Sequence, residues 1–180
     1  MRAFIALNVP EHVRRRAEEI ENDFRIDGLT LVKKEEMHLT LQFLGEIDAA
    51  QAENAVDAIN SVKRQPFAVS LSGVSYFTPR LIRVIYIGTD KGTKELRELY
   101  AKLGSALTSR GVGFDKEKNY TPHLTIARVK RVNEMRRLRE ALEKNANADA
   151  GSFIASSISL KESSLTPYGH VYRNLHELKL

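Results

Sequence analysis

The sequence contains no cysteine among its 180 residues. This absence excludes disulfides, a thiolate nucleophile and a zinc site with cysteine ligands. No apolar run approaches the roughly 20 residues that span a bilayer, and the apolar stretch near the N-terminus is too short for a secretory signal. We therefore expect a soluble cytoplasmic protein that does not contact a membrane.

The chain also lacks any linker rich in proline, glycine or serine and any low-complexity tract. Its length suits one compact unit at roughly 150 residues per domain. Hydrophobic residues make up 42% and charged residues 28% of the sequence, which are globular proportions. We expect one bilobal domain over residues 1–180.

The net charge of +5 is concentrated in one segment. Between Arg128 and Lys144 lie seven basic and three acidic residues, a surplus of four. A clustered basic surface suits an anionic partner such as RNA. A solvated helix face with surplus arginines is the structural alternative.

An internal repeat organises the chain. Residues 37–41 (MHLTL) return as residues 122–126 (PHLTI), an offset of 85. Two further landmarks keep this register to within one residue: 47–48 (ID) with 132–133 (VN), and 67–70 (FAVS) with 153–156 (FIAS). We interpret the two halves as copies of one unit.

Each half is predicted to begin with a strand, at residues 2–8 or 84–88, followed by an amphipathic helix. The helices are indicated by apolar residues at helical spacing: Val13, Ala17, Ile20 and Phe24 in the first half, and Leu96, Leu99, Leu103 and Leu107 in the second. The strand that carries the histidine comes next in both halves.

A second helix follows in each half. In the first half it begins at Asp48, where Gln51 completes a capping box, and in the second half it begins at Asn133. Alternating strands at residues 67–76 and 153–160 follow, and turns are predicted at residues 78–80 and 167–169. We expect an α+β fold with two pseudo-symmetric lobes around a central cleft, each lobe an antiparallel sheet with helices on its outer side.

The repeated motif presents the same polar pair twice. Because side chains alternate along a strand, His38 and Thr40 share one face, as do His123 and Thr125, with aliphatic residues on the opposite face. If an approximate twofold axis relates the halves, two imidazoles and two hydroxyls meet across one cleft. A single His-x-Thr motif is usually structural, but two in register are hard to attribute to chance.

Two imidazoles on opposite sides of a phosphorus atom are suited to in-line displacement. One removes a proton from the attacking oxygen and the other protonates the leaving oxygen, while threonine hydroxyls stabilise charge on the non-bridging oxygens. This scheme requires no metal. A zinc site on His38 and His123 is disfavoured, because neither motif brings a carboxylate or cysteine ligand with it.

The motifs resemble those of the two-histidine (2H) phosphoesterase superfamily. Longer strings, together with Tyr172, are similar to its RNA 2′,3′-cyclic phosphodiesterase branch, formerly called 2′–5′ RNA ligase: residues 2–7 (RAFIAL), 38–45 (HLTLQFLG), 122–128 (PHLTIAR) and 164–169 (SLTPYG). The resemblance spans essentially the whole chain.

The resemblance implies an enzyme that opens a terminal RNA 2′,3′-cyclic phosphate to a 2′-phosphomonoester without a cofactor. Carried over, His38 is the proton donor, His123 the proton acceptor, and Thr40 and Thr125 bind the phosphate. From the residues alone, pseudo-symmetry leaves the acid and base assignment open. The implied partners are RNAs with cyclic phosphate ends, tRNA fragments among them. Reverse 2′–5′ ligation is the same chemistry run backwards.

Arg128 matches an arginine of that family and is a candidate phosphate-binding residue. Strand parity opposes this role, because Arg128 points away from His123 unless the strand bulges or ends. Parity instead places Gln42 on the face of His38, and the repeat equivalent of Arg128 is Phe43. Lys130 and Arg131 are candidates to meet an RNA backbone.

Several aromatic residues near predicted turns are candidates to stack on a terminal base, with core or rim packing as the favoured alternative: Tyr76, Phe77, Tyr120 and Tyr168. Three histidines outside the motifs, His12, His170 and His176, are assigned no role. The cleft closes within one chain, so we expect a monomer.

Two other functions remain open at this level. The first is a phosphodiesterase for a small cyclic nucleotide, and the second is a non-catalytic RNA-binding protein whose histidines only hydrogen-bond to phosphate. The basic segment favours a polymeric substrate. Substitution of either histidine distinguishes catalysis from binding.

Overall fold

Alternating and helical apolar patterns produce strands and helices at the predicted places. The computed structural model describes residues 1–77, 81–166 and 169–180. Across these ranges the chain forms nine strands: β1 (Arg2–Asn8), β2 (Leu29–Leu31), β3 (His38–Glu46), β4 (Phe67–Phe77), β5 (Val84–Thr89), β6 (His123–Val129), β7 (Asp149–Ala155), β8 (Ser157–Thr166) and β9 (Gly169–Lys179). It also forms four α-helices: α1 (Glu11–Glu21), α2 (Ala49–Ser61), α3 (Thr93–Ser109) and α4 (Met135–Lys144).

The strands form one antiparallel sheet in the order β7-β4-β5-β6-β3-β1-β8-β9, with β2 beside the end of β6. Its two middle strands, β3 and β6, meet at one register pair, Leu39 with Leu124. The sheet is therefore nearly divided there. We call β7, β4, β5, β6 and β2 lobe A, and β3, β1, β8 and β9 lobe B.

Each lobe packs two helices against one side of its sheet. Helices α1 and α4 cover lobe A, and α2 and α3 cover lobe B. The apolar positions that predicted α1 and α3 face this core, and Val13, Ala17, Leu99 and Leu103 are completely buried. The expected α+β fold with two pseudo-symmetric lobes and outer helices is thus confirmed.

The lobes do not coincide with the halves of the sequence. Strand β4, which ends the first half, pairs with β5 of the second half. In the same way β8, from the second half, pairs with β1 of the first. Each lobe therefore contains strands from both halves.

This exchange explains one wrong prediction. The single strand expected at residues 153–160 is two strands, β7 and β8, that separate at Ser156. The first pairs with β4 in lobe A and the second with β1 in lobe B, so the chain passes between lobes at that residue.

The two helix starts also differ. Asp48 and Gln51 form the predicted capping box, with hydrogen bonds of 2.8 and 3.1 Å. Asn133 does not cap its helix, because α4 begins at Met135 and the Asn133 amide donates to Asp27 instead.

The predicted turns involve residues 78–80 and 167–168, which lie outside the described residues, although β4–β5 and β8–β9 are both antiparallel pairs. Among the helices of the described ranges, none has the length and apolar character needed to cross a membrane.

Candidate active site

The two motif histidines begin the two middle strands of the sheet. His38 is the first residue of β3 and His123 the first of β6. In the antiparallel register set by Leu39 and Leu124, the position opposite Thr40 is His123, and the position opposite His38 is Thr125. The two polar pairs are thus related by the local twofold symmetry of the junction between the lobes.

The same backbone contact orients both imidazoles. Nδ1 of His38 lies 2.6 Å from the carbonyl oxygen of Glu36, and Nδ1 of His123 lies 2.7 Å from that of Thr121. A carbonyl only accepts, so each Nδ1 carries a hydrogen and donates it. In the neutral ring Nε2 is then an unprotonated acceptor, available to take or return a proton.

The electrostatic surroundings favour neutral imidazoles in the free site. Burial lowers the pKa of His38 to about 4, opposed by its hydrogen bond to Glu36 and reinforced by the positive charges of Lys161 and Arg128. Burial also lowers the pKa of His123, with Arg128 acting in the same direction. The charge of Arg128 therefore lies near both imidazoles.

Aromatic rings enclose each histidine. Phe4 stacks on His38 with centroids 4.8 Å apart, and Tyr172 meets the same imidazole edge-on at 5.2 Å. Around His123, Phe77 packs edge-on at 4.7 Å and Tyr86 lies at 5.2 Å. These contacts shield part of each imidazole from water, although both histidines stay partly exposed.

Both central strands contain a β-bulge just after the threonine. On β6, Tyr86 pairs with Thr125 and Ile85 with Ala127, so Ile126 is left over. A bulge adds one residue to a strand and reverses the facing of the residues that follow. The strand therefore continues with Ile126 and Ala127 both buried, and Arg128 is exposed on the cleft face.

The corresponding bulge on β3 leaves Leu41 unpaired and corrects the prediction for Gln42. Gln42 does not share the face of His38. It is 1% exposed on the helix side, where its amide donates to the carbonyl of Tyr100 at 2.9 Å. Phe43, 41% exposed, takes the cleft-facing position equivalent to that of Arg128.

Arg128 links the two lobes across the cleft. It belongs to lobe A, and it lies close enough to Tyr172 of lobe B to oppose the rise that burial causes in the pKa of that hydroxyl. Tyr172 in turn contacts His38. A planar guanidinium near both imidazoles is well suited to a phosphate.

The threonines line the cleft beside the histidines. Thr40 and Thr125 are half-buried, and neither hydroxyl has a hydrogen-bond partner within the part of the chain that the structure describes. Both hydroxyls are therefore free to donate to an incoming anion. The backbone of Thr40 is fixed, because its carbonyl accepts from the Tyr120 hydroxyl at 2.8 Å.

The candidate stacking aromatics have different surroundings. Tyr120 is a core residue stacked on Tyr100 at 4.2 Å. Phe77 is a wall of the His123 site, and Tyr76 is exposed outside the cleft. Tyr168 lies outside the described residues.

The three unassigned histidines have ordinary polar partners. His12 meets the carbonyl of Ser152 at 3.2 Å, His170 the hydroxyl of Ser163 at 3.3 Å, and His176 the side chain of Asn60 at 2.8 Å.

Three residues around the histidines were not predicted from the sequence. Phe4 and Tyr86 lie in the predicted strands, but only the registers of β1 with β3 and β5 with β6 bring them to the imidazoles. Lys161 reaches the His38 side through β8, which pairs with β1. No local signal in the sequence identifies a residue delivered by a distant strand.

The chain matches one protein family and several relatives that carry the same name. The model of the family described as LigT-like phosphoesterase matches the chain twice, over residues 5–86 and 87–172, so each match contains one histidine motif. The RNA 2′,3′-cyclic phosphodiesterase of Methanocaldococcus jannaschii is 35% identical over 178 residues, covering 98% of this chain and 99% of the relative. The protein of that name from Thermotoga maritima is 35% identical over 182 residues, covering 98% and 94%.

A solved structure from Thermus thermophilus has the same architecture. It superimposes with a TM-score of 0.83 at 25% identity, over 100% of this chain and 98% of the other. The two-lobed fold is thus shared over the full described length.

Proposed function

We propose that this chain, which belongs to the LigT-like phosphoesterase family, hydrolyses the 2′,3′-cyclic phosphate at the end of an RNA to a 2′-phosphomonoester. The observation that carries the proposal is the pair of imidazoles. Each is fixed through Nδ1 by a backbone carbonyl, and each leaves Nε2 available in a cleft lined by two free hydroxyls and Arg128.

The reaction uses one imidazole as base and the other as acid. Nε2 of His123 takes a proton from water as the water oxygen forms a bond to phosphorus. The bond from phosphorus to the 3′-oxygen breaks, and Nε2 of His38 gives its proton to that oxygen. The products are a 2′-phosphomonoester and a 3′-hydroxyl, and proton exchange with solvent restores the histidines.

Charge on the phosphoryl oxygens is stabilised by fixed donors. The hydroxyls of Thr40 and Thr125 and the guanidinium of Arg128 donate hydrogen bonds to the phosphoryl oxygens, where negative charge increases in the transition state. The scheme uses side chains of this protein alone and requires no metal.

The donor role of His38 follows from the family resemblance and depends on the substrate. In the free site, burial and the cations Lys161 and Arg128 hold the pKa of His38 at about 4. A bound phosphate anion supplies the opposite charge and favours the imidazolium form. Substrate binding thereby provides the protonated acid that the reaction needs.

Several further properties belong to the same proposal. The chain arose by duplication of one unit, an inference supported by the two matches of the family model. The protein acts as a cytoplasmic monomer on RNAs with cyclic phosphate ends, tRNA fragments among them, and the same residues with exchanged roles run the 2′–5′ ligation in reverse.

The test is an assay on an RNA oligonucleotide ending in a 2′,3′-cyclic phosphate, with EDTA present. We expect turnover to a 2′-phosphate. A 3′-phosphate would contradict the assigned leaving group. Binding without turnover would support the RNA-binding alternative, and turnover of a mononucleoside cyclic phosphate alone would identify a small-molecule enzyme.

A further inference from the structure

A cavity of about 310 Å³ lies outside the catalytic cleft, at the end of lobe A. It is bounded by Tyr76 near the end of β4, by Val129 at the end of β6, and by Met135 and Leu142 of α4. The volume is at the lower end of the range for small-ligand pockets. It suits one flat ring system.

Exposed apolar surface is concentrated at this cavity. Eight large hydrophobic side chains are exposed among the described residues, and three of them line it: Tyr76 at 40%, Leu81 at 55% and Met135 at 42%. Exposed apolar groups gathered at one concave site indicate a ligand or partner.

The rim of the cavity is positively charged and unpaired. Four exposed cations line it: Arg83, Lys130, Arg131 and Arg139. Within the described chain none of them forms an ion pair with a carboxylate. Outside the cavity on α4, by contrast, Arg136 pairs with Glu140 at 2.9 Å and Arg137 with Glu134 at 3.6 Å.

The backbone that carries two of these cations is held by hydrogen bonds to Gly28. The amides of Lys130 and Arg131 both donate to the carbonyl of Gly28, at 2.9 and 3.2 Å. Gly28 has a φ of +86°, and a Cβ atom on it would overlap the carbonyl oxygen of Arg131. Only glycine fits there, so the cations are presented by a preformed turn.

Strand β6 runs from the catalytic cleft to this cavity, which lies around the end of the sheet on its helix-covered face: Arg128 faces the cleft and Val129 the cavity. The strand starts with His123, places Arg128 in the cleft and ends one residue before Lys130. At the rise of a β-strand, His123 and Lys130 are about 20 Å apart. An extended single strand of RNA spans that distance with several nucleotides.

We propose that this cavity binds one unstacked nucleobase of the RNA substrate, several nucleotides before the cyclic phosphate. The base stacks on Tyr76, and the four rim cations hold the adjoining phosphates. The inference rests on the proposed function and extends it, since it makes the enzyme selective for single-stranded RNA ends over mononucleotides.

The test compares a long and a short substrate. We would measure kcat/KM for an octanucleotide and a dinucleotide, both ending in a 2′,3′-cyclic phosphate, with Tyr76→Ala and with the double variant Arg131→Ala, Arg139→Ala. We expect roughly a 10- to 100-fold loss for the octanucleotide and none for the dinucleotide. The matched control is Arg136→Ala with Arg137→Ala on the same helix, for which neither substrate changes.

Abasic substitution locates the base. We expect one internal abasic position of the octanucleotide to reduce kcat/KM for the wild type and to have no effect for Tyr76→Ala. The double arginine variant should reduce the slope of log affinity against log salt by about 0.7 per lost phosphate contact. Equal losses for both substrates, or a loss with the control pair as well, would overturn the cavity proposal.

A binding measurement separates this proposal from the proposed function. Fluorescence anisotropy of an octanucleotide with a 3′-hydroxyl end requires no turnover. Binding that weakens with the cavity variants in a protein that cleaves neither cyclic phosphate would support the cavity and refute the hydrolase. Turnover of both substrates with unchanged binding in the variants would do the reverse.

Discussion

Nδ1 of His38 lies 2.6 Å from the carbonyl oxygen of Glu36, its neighbour two residues earlier. The distance from His123 to Thr121 is 2.7 Å, so the contact recurs at the repeat offset. Each imidazole is thus oriented by its own strand start, without a carboxylate partner. The motif contains its orienting group in the backbone, which a reading of side chains alone does not reveal.

This geometry predicts the tautomer and titration of both histidines. In the free protein at pH 8, we expect Nδ1-protonated rings by ¹⁵N NMR. His38 should titrate near pH 4 and His123 below 6.5, because burial and nearby cations disfavour the imidazolium. An Nε2-protonated tautomer for either ring would contradict the assigned hydrogen bonds.

Two substitutions distinguish the effects of Arg128 and Lys161 on the pKa values of the histidines. Removing a positive charge stabilises the imidazolium, so Arg128→Ala should raise the pKa of both His38 and His123. Lys161→Met should raise that of His38 alone, since the Lys161 charge acts on that ring. The NMR titration that gives the wild-type values also measures these shifts.

Loss of either imidazole should abolish most activity. We expect His38→Ala and His123→Ala each to lower kcat by about 10²–10⁴-fold on a cyclic phosphate oligonucleotide, because each removes a positioned acid or base. Binding of the 2′-phosphate product and the far-UV spectrum should persist. His176→Ala, at a surface histidine bonded to Asn60, is the matched control. Full turnover by either active-site variant would refute the mechanism.

The bulge on β6 predicts a role for Arg128. Because the bulge faces this side chain to the cleft, Arg128→Ala should lower kcat/KM by roughly 10- to 100-fold, the range for a hydrogen bond to a charged group. Arg128→Lys should recover part of the loss but not the bidentate geometry. Arg16→Ala on α1 serves as the exposed control. An unchanged kcat/KM for Arg128→Ala would exclude a phosphate contact.

A buried carboxyl outside the site predicts pH-dependent stability. Glu21 is 5% exposed, its Oε2 has no hydrogen-bond partner among the described residues, and burial raises its pKa to about 8, with Glu18 adding to the shift and Arg25 opposing it. The folded state therefore binds more protons than the unfolded state between pH 4.5 and 8. The free energy of unfolding should fall as pH rises through this range.

Replacing that carboxyl removes the effect. Glu21→Gln should stabilise the protein at pH 8 by ~2 kcal/mol, the scale of an unsatisfied buried polar group, and leave stability at pH 4 nearly unchanged. Thermal unfolding at both pH values measures this difference. Glu19→Gln, at an exposed position of the same helix, should have no such pH-dependent effect.

Sequence patterns predicted those elements whose structure depends on residues close together in the chain. The motif strands, the helices carrying Val13 and Leu99, and the capping box at Asp48 all depend on periodicity or on contacts within a few residues. The side chains of His38 and Thr40 share a face because no bulge separates them. These features were predictable from the sequence and are confirmed.

The facing of Arg128 and Gln42 was not predictable from alternation alone. Both lie beyond a bulge, which reverses the period of two. The sequence contains one weak indication of the bulge on β6: Ile126 and Ala127 are successive apolar residues within an alternating strand. A rule that assumes strict alternation gives the wrong face for every residue that follows.

The prediction of a single strand at residues 153–160 was wrong for a different reason. Residues 153–160 (FIASSISL) contain no glycine or proline to mark a break, but β7 and β8 pair with strands about eighty and one hundred and fifty residues earlier, in different lobes. Partner choice is a long-range property of the sheet. For the same reason the sequence did not predict Lys161 near His38, because its position depends on the pairing of β8 with β1.

The exchange of strands between lobes also determines how the molecule can move and unfold. Since β4 and β8 each complete the lobe formed by the other half, neither half of the chain can fold by itself into a lobe. Because each lobe contains strands from both halves, neither lobe can stay folded when the other unfolds. We therefore expect the whole chain to unfold in a single transition. The chain passes between the lobes six times, so backbone connections link the two walls of the cleft.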